Sequence, residues 1–196
     1  MSRFLRFSLV SVLFFGVAGA IYAAVEIQPH GGGSRAATPN GTLSGQSTAG
    51  ISRYSGLPLP RFVSLKTSKV NVRRGPSRQH PIAWSFIKKG MPIEIISESD
   101  NWRMVRDSEG SEGWIFQGLL SGARSVVVAP WDGAGLHDLR KRPDAGSAVV
   151  ARFEAGVVAK VKNCNGVWCQ VESGGYDGWI SQNEVWGVYP GELVED

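Results

Sequence analysis

Asn101-Trp102-Arg103-Met104-Val105, followed by Glu112-Gly113-Trp114-Ile115, is written a second time in this chain as Val167-Trp168-Cys169-Gln170-Val171, followed by Asp177-Gly178-Trp179-Ile180. Both versions set a Trp-x-x-Val run before a short glycine-containing turn and an acidic-Gly-Trp-Ile run. Upstream, each carries a glycine and a β-branched run: Gly90 with Ile93, Ile95 and Ile96, then Gly156 with Val157, Val158 and Val161. The first tryptophans, 102 and 168, lie 66 residues apart, and the second, 114 and 179, lie 65 apart. Self-similarity at a fixed period marks a duplicated unit. A unit of about 65 residues is small but can fold alone. Duplicated small β-domains usually bind and seldom catalyse.

The sequence around the repeats is punctuated like an all-β protein. Residues 62–65 alternate, Val70-Asn71-Val72 is a strand ended by Arg74-Gly75-Pro76, and Ile82, Trp84 and Phe86 share one face of the next strand. Strands are further expected over 92–97, 102–107 and 113–116, with Glu109-Gly110 as a hairpin turn and one helical turn near Gln117-Gly118-Leu119-Leu120. Short strands at such spacing argue for small barrels or sandwiches. The expected architecture is two tandem β-barrels, over 61–122 and 123–192.

Before them lies a stretch, 25–60, rich in Gly, Ser, Thr and Pro with sparse apolar residues. Such composition cannot bury enough surface to offset ordering, so a flexible linker is expected. Residues 1–24 read as a secretory signal peptide: Arg3 and Arg6, an apolar run over 7–17, then the small residues Ala18-Gly19-Ala20. An uncleaved membrane anchor is the alternative, and only in that case is a membrane contact expected. Either way the rest of the chain is expected outside the cytoplasm, periplasmic or secreted.

The formal charge is +4. Its distribution is uneven: Arg61, Lys66, Lys69, Arg73, Arg74, Arg78, Lys88 and Lys89 fall in a stretch without a single acid. A basic face favours anionic partners such as wall polymers. The two cysteines, Cys164 and Cys169, flank Asn165-Gly166-Val167-Trp168. Metal binding would need more ligands nearby. In an oxidising compartment the pair is expected to close a hairpin as a disulfide, with Asn165-Gly166 supplying the turn. A spacing of four rather than two residues weighs against a redox motif.

Asn71-Val72-Arg73-Arg74-Gly75-Pro76-Ser77 resembles the opening motif of bacterial SH3-like domains. Gly90-Met91-Pro92-Ile93-Glu94-Ile95, the Trp102–Val105 run and Gly113-Trp114-Ile115 match the steps that follow it in those domains. The resemblance is closer still to a tandem, exported form found in Gram-negative bacteria. That form shares Pro81-Ile82-Ala83-Trp84, the Asn101–Asp107 run, the Cys164–Cys169 hairpin and Trp186-Gly187-Val188-Tyr189-Pro190-Gly191-Glu192. The resemblance covers about 62–192. It implies two SH3-like barrels that bind peptidoglycan or its peptide stems, with little chemistry of their own. The second copy departs from the pattern: Arg140-Lys141-Arg142-Pro143 lacks the turn glycine.

Catalysis would need a nucleophile with a base, a carboxylate pair or a metal cluster. No motif assembles one, His137-Asp138 stands alone, and Glu109 with Glu112 or Asp177 with Glu184 reads as solvated turns. The expectation is a non-enzymatic module with no cofactor and no metal. Export argues against nucleic acid as a partner. Trp102, Trp114, Trp168 and Trp179 recur at equivalent points and are expected to pack the barrels. Trp84, Trp131 and Trp186 have no repeat partner and are better candidates for a surface. Aromatics beside a basic turn hold sugar faces or peptide side chains. The candidate groove is therefore Arg73, Arg74, Trp84 and Trp102, the alternative for Trp84 being the seam between copies. Trp186 and Tyr189 are expected to pin the C-terminal tail. The partner is expected to be cell-wall peptidoglycan or, alternatively, another envelope protein that the chain recruits.

Overall fold

The computed structural model describes residues 50–195; the signal segment expected over 1–24 and the linker through residue 49 lie outside them. The chain begins with a small hairpin, β1 (Gly50–Ile51) and β2 (Pro58–Leu59). The first copy follows: β3 (Arg61–Leu65), β4 (Val70–Arg73), β5 (Ile82–Phe86), β6 (Pro92–Ser99), β7 (Trp102–Arg106), β8 (Glu112–Phe116), a 3-10 turn (Gln117–Leu119) and β9 (Leu120–Ser121). The second repeats it: β10 (Ser125–Val128), β11 (Leu136–Arg140), β12 (Val149–Glu154), β13 (Val158–Asn165), β14 (Trp168–Ser173), β15 (Tyr176–Ser181), a 3-10 turn (Gln182–Glu184) and β16 (Val185–Trp186). A last strand, β17 (Leu193–Val194), pairs with β13.

The duplication is complete at the level of pairing. The first sheet runs β5-β4-β8-β7-β6-β3-β9 and the second β12-β11-β15-β14-β13-β10-β16, the same order strand for strand. Both carry a bulge at the same point, between Ile95 and Ser97 against β7 and between Val161 and Asn163 against β14. Among the described residues no pairing joins β5 to β9 or β12 to β16. The architecture is thus two antiparallel sheets of SH3-like order, and the closed barrels expected from sequence are not what the pairing traces.

Each sheet covers its own core. Leu65, Val70, Val72, Ile93, Ile95, Val105 and Ile115 are buried in the first; Val126, Val128, Leu139, Val161, Val171 and Ile180 in the second. Small β-branched and aliphatic side chains fill the narrow interior, each stabilising by roughly 1.5–3 kcal/mol when fully buried. The repeated tryptophans are not part of it: Trp102, Trp114, Trp168 and Trp179 are all half-buried. Strand alternation explains this. In β7, Arg103 and Val105 point inward, which turns Trp102 outward; in β8, Gly113 and Ile115 point inward, which turns Trp114 and Phe116 outward.

The seam between copies is built from other aromatics. Phe62 meets Trp186 edge-on with ring centroids 5.0 Å apart, and Tyr189 at 4.7 Å. The Tyr189 hydroxyl donates to Glu94 Oε1 at 3.0 Å. Burial first, and then the Glu94 charge, push the Tyr189 hydroxyl pKa far up, so it stays a donor at any physiological pH. Arg124 pairs with Glu192 at 2.7 Å and donates to the Gly187 carbonyl at 2.9 Å. At Gly187 (φ +125°) a Cβ would stand 2.4 Å from the Ser125 carbonyl oxygen, so only glycine allows this close approach. Trp186 and Tyr189 therefore do more than pin the tail, and Trp84 does not occupy the seam.

Candidate functional site

An outward-facing groove of about 300 Å³ opens on the first sheet, lined by Lys69, Asn71, Arg73, Arg78, Trp102, Phe116 and Leu119. Its floor follows from alternation and register. Val70 and Val72 of β4 are fully buried, so Asn71 and Arg73 face out. Arg73 pairs with Trp114 of β8, and Trp102 pairs with Phe116, which brings β4, β8 and β7 side by side with their outer faces in one surface. The Trp102 and Phe116 rings meet edge-on at 5.8 Å. The Arg78 guanidinium lies over the Phe116 ring, 5.9 Å from its centroid, a cation–π arrangement. No acidic residue lines the groove.

Arg73 has a second task. Its Nη1 donates to the His80 carbonyl at 2.7 Å, bracing the turn between β4 and β5. Arg74 N closes the same turn on the Pro81 carbonyl at 3.1 Å. Gly75 is buried against the His80 ring, 2.5 Å from where a Cβ would stand.

Of the four residues expected to form the groove, the structure unites Arg73 and Trp102. Arg74 lies past the end of β4 and is exposed, outside the groove. Trp84 is opposite Val72 in register. Directly opposed residues share a sheet face, so Trp84 turns inward and packs against the core beside Phe86, 6.2 Å between ring centroids. Lys69, Asn71, Arg78, Phe116 and Leu119 were missed. Period-two alternation from Val70 and Val72 would have found Lys69 and Asn71, and alternation from Ile115 would have found Phe116.

The second copy does not repeat this lining. At the positions of Lys69, Asn71, Arg78 and Phe116 stand Leu136, Asp138, Ala145 and Ser181, as the strand register aligns them. Asp138 is held by Arg140 at 2.9 Å and Arg152 at 3.0 Å. Arg140 braces its turn as Arg73 does, donating to the Ser147 carbonyl at 2.8 Å. His137, the other half of the His137-Asp138 neighbour pair, points elsewhere: its Nδ1 is 3.3 Å from Glu184 and its Nε2 3.5 Å from Asp132. Asp177 belongs to a separate network. Hydrogen bonds from Lys162 and Gln170 hold its carboxyl below the usual aspartate range, whereas Glu184 faces His137.

The cysteines form the disulfide expected, Cys164–Cys169, directly opposite one another across β13 and β14 with 4.1 Å between Cα atoms. Gly166 takes the positive φ of the turn (+91°), and Asn165 Oδ1 accepts from Val167 N and Trp168 N at 3.0 and 2.8 Å.

The family model described as "Bacterial SH3 domain" matches residues 66–122 and again 135–187, more than half of the chain. The chain belongs to the bacterial SH3 domain family. It carries this domain twice, in agreement with the duplicated strand order. A relative in Bacillus subtilis strain 168, "Putative N-acetylmuramoyl-L-alanine amidase YrvJ", is 27% identical over 132 residues, 62% of this chain and 24% of the relative. The chain thus spans about a quarter of that relative's length. Two solved structures from Trichomonas vaginalis overlap loosely: NlpC2 at 12% identity and TM-score 0.30, over 65% of this chain and 48% of that one, and NlpC1 at 13% and 0.31, over 69% and 48%.

Proposed function

We propose that this protein is a non-catalytic, exported binding module of the cell envelope, and that the first bacterial SH3 domain holds peptidoglycan through its peptide stems. The observation that carries this reading is the groove itself. Trp102 and Phe116 offer apolar ring surface, while Lys69, Arg73 and Arg78 surround it with positive charge and no lining acid. A peptide stem offers the complement: short aliphatic side chains between carboxylates. The family assignment and the Bacillus subtilis relative, a putative N-acetylmuramoyl-L-alanine amidase, support the same class of ligand. The periplasm or cell surface is the compartment this reading requires, in keeping with the expected signal segment.

A second reading rests on the other copy. Leu136, Val149 and Val150 are exposed on β11 and the edge strand β12. An apolar sheet edge suits a protein partner, so recruitment of an envelope protein is the alternative.

Co-sedimentation of the protein with purified sacculi, at low and at moderate salt, tests the first reading. Retention is expected to weaken but survive added salt, because ring contacts are not screened as charges are. Trp102→Ala is expected to abolish what salt leaves. Equal retention of parent and Trp102→Ala contradicts the proposed groove; no retention of either, with a crosslinked protein partner, favours the second reading.

A further inference from the structure

A second basic cleft lies between the two copies, and the wall-binding reading does not use it. It measures about 440 Å³. Lys66 and Lys89 reach it from the first copy, Lys160 from the second, and Arg124 from the connection between them. No acidic and no aromatic residue lines it. Glu192 already balances Arg124, so the excess positive charge at this cleft rests on Lys66 and Lys89, and like charges repel one another unless an anion joins them.

Two further observations point to a ligand. Ser125 lines the cleft, is only 6% exposed, and its hydroxyl has no hydrogen-bond partner among the described residues. Arg124 Nε is likewise buried without a partner, although Glu192 and the Gly187 carbonyl fix the rest of its guanidinium. Buried polar groups of folded proteins are normally satisfied, and an exception calls for a missing acceptor.

We propose that this cleft binds a phosphate group. The lining excludes a ring-stacking ligand, since it offers no aromatic face. Lysines act as compact point charges toward phosphate. A phosphate monoester brings nearly two negative charges near neutral pH where a carboxylate brings one, which suits the two lysines Lys66 and Lys89. Ser125 Oγ and Arg124 Nε supply donors from the cleft wall. The groove on the outer face of the first copy is a separate surface, so either site can fail without the other.

The test is titration of the full chain with inorganic pyrophosphate at constant ionic strength, followed by backbone NMR. Saturable shifts are expected at Leu65, Lys66, Lys89, Gly90 and Ser125. The double variant Lys66→Gln/Lys89→Gln is expected to bind about tenfold more weakly, the loss of charge-assisted contacts, with unchanged Tm. Ser125→Ala is expected to keep its Tm and still weaken pyrophosphate, which a packing role alone would not do. Shifts that fail to saturate, or that persist in the double variant, overturn the proposal. Vesicles distinguish the source of the phosphate. Retention on phosphatidylglycerol but not phosphatidylcholine, competed by pyrophosphate, assigns it to a lipid headgroup. Pyrophosphate binding without vesicle retention assigns it to a free phosphate compound.

Discussion

The hairpin between β6 and β7 and its counterpart between β13 and β14 are closed at the same position by unlike means. In the first copy Glu98 stands opposite Arg103; in the second, 66 residues on, Cys164 stands opposite Cys169. Both pairs are buried. The disulfide is a local clamp that needs no help. The ion pair is not self-sufficient, because taking charges out of water costs several kcal/mol unless every lone pair is met. Glu98 meets that demand with Arg103 at 3.2 Å, Arg61 at 2.6 Å and hydroxyl donors from Ser52 and Ser55, the latter at 3.0 Å. Arg103 in turn donates to Gln117 and to the Asp100 carbonyl at 2.8 Å. In the second copy Gln182 stands where Gln117 does, 3.7 Å from Cys169 Sγ.

The covering segments differ accordingly. Ser52 and Ser55 belong to the β1–β2 hairpin, which sequence composition assigned to the flexible linker. The C-terminal strand β17 pairs over Cys164 and Asn165 in the other copy. One lock ties the chain's N-terminal approach to its sheet; the other leaves the last strand, β17, to pair with β13. A duplicated fold has thus kept its geometry and exchanged its chemistry.

The largest effect should come from breaking the ion-pair lock alone. Glu98→Ala leaves the buried Arg103 charge and the largely buried Arg61 charge without a carboxylate and is expected to cost about 3–5 kcal/mol, read by thermal unfolding. Transplanting the other lock sharpens the comparison. Glu98→Cys/Arg103→Cys is expected to form a disulfide and to lose less stability than Glu98→Ala, because Arg103 leaves with its partner. A double variant that stays reduced, or is less stable than the single one, would show that the two hairpins are not equivalent. Removing the native disulfide by Cys164→Ala/Cys169→Ala should cost about 2 kcal/mol, given so short a loop, with the first copy's NMR signals unmoved.

Acid should separate the two locks. Burial alone would raise the Glu98 pKa, but hydrogen bonds from Ser52, Arg61 and Ser55 and the Arg61 charge hold it below its ordinary 4.5. Stability from a depressed carboxyl is complete above that ordinary value and is lost as pH falls through the lower folded one. Tm should therefore fall on acidification below 4.5, and less steeply in Glu98→Gln. Asp177, depressed by Lys162 and Gln170, keeps some slope in that variant.

The smallest effect concerns the turns. Gly75 packs on His80 in one copy; in the other Arg142 and Ser147 hold the matching places, with Ser147 Oγ accepting from Arg142 N at 3.0 Å. Gly75→Arg is expected to cost about 1 kcal/mol through crowding. Adding His80→Ser should recover most of it.

Much of this was legible in the sequence. The Trp-x-x-Val and Gly-Trp-Ile runs carried the duplication and the strands β7, β8, β14 and β15, and Cys164 with Cys169 carried the disulfide. The groove was half legible: a basic turn beside aromatics pointed to Arg73 and Trp102. Trp84 misled because the face a strand residue takes depends on its cross-strand partner, here Val72, and register is a tertiary property. The β1–β2 hairpin misled because what holds it lies far along the chain: Glu98 accepts from Ser52 and Ser55, and Leu59 packs on the first core. The seam of Phe62, Trp186 and Tyr189 joins residues too far apart in the chain for any local pattern.

The same comparison gives the most direct test of the binding claim. Lys69→Leu/Arg78→Ala gives the first groove the residues that the second copy carries at those positions, all on the exposed surface. Its retention on purified sacculi at moderate salt should fall about tenfold from the parent, the loss of two charge-assisted contacts, at unchanged Tm. Retention equal to the parent would contradict the claim that this groove is what the first copy offers the cell wall.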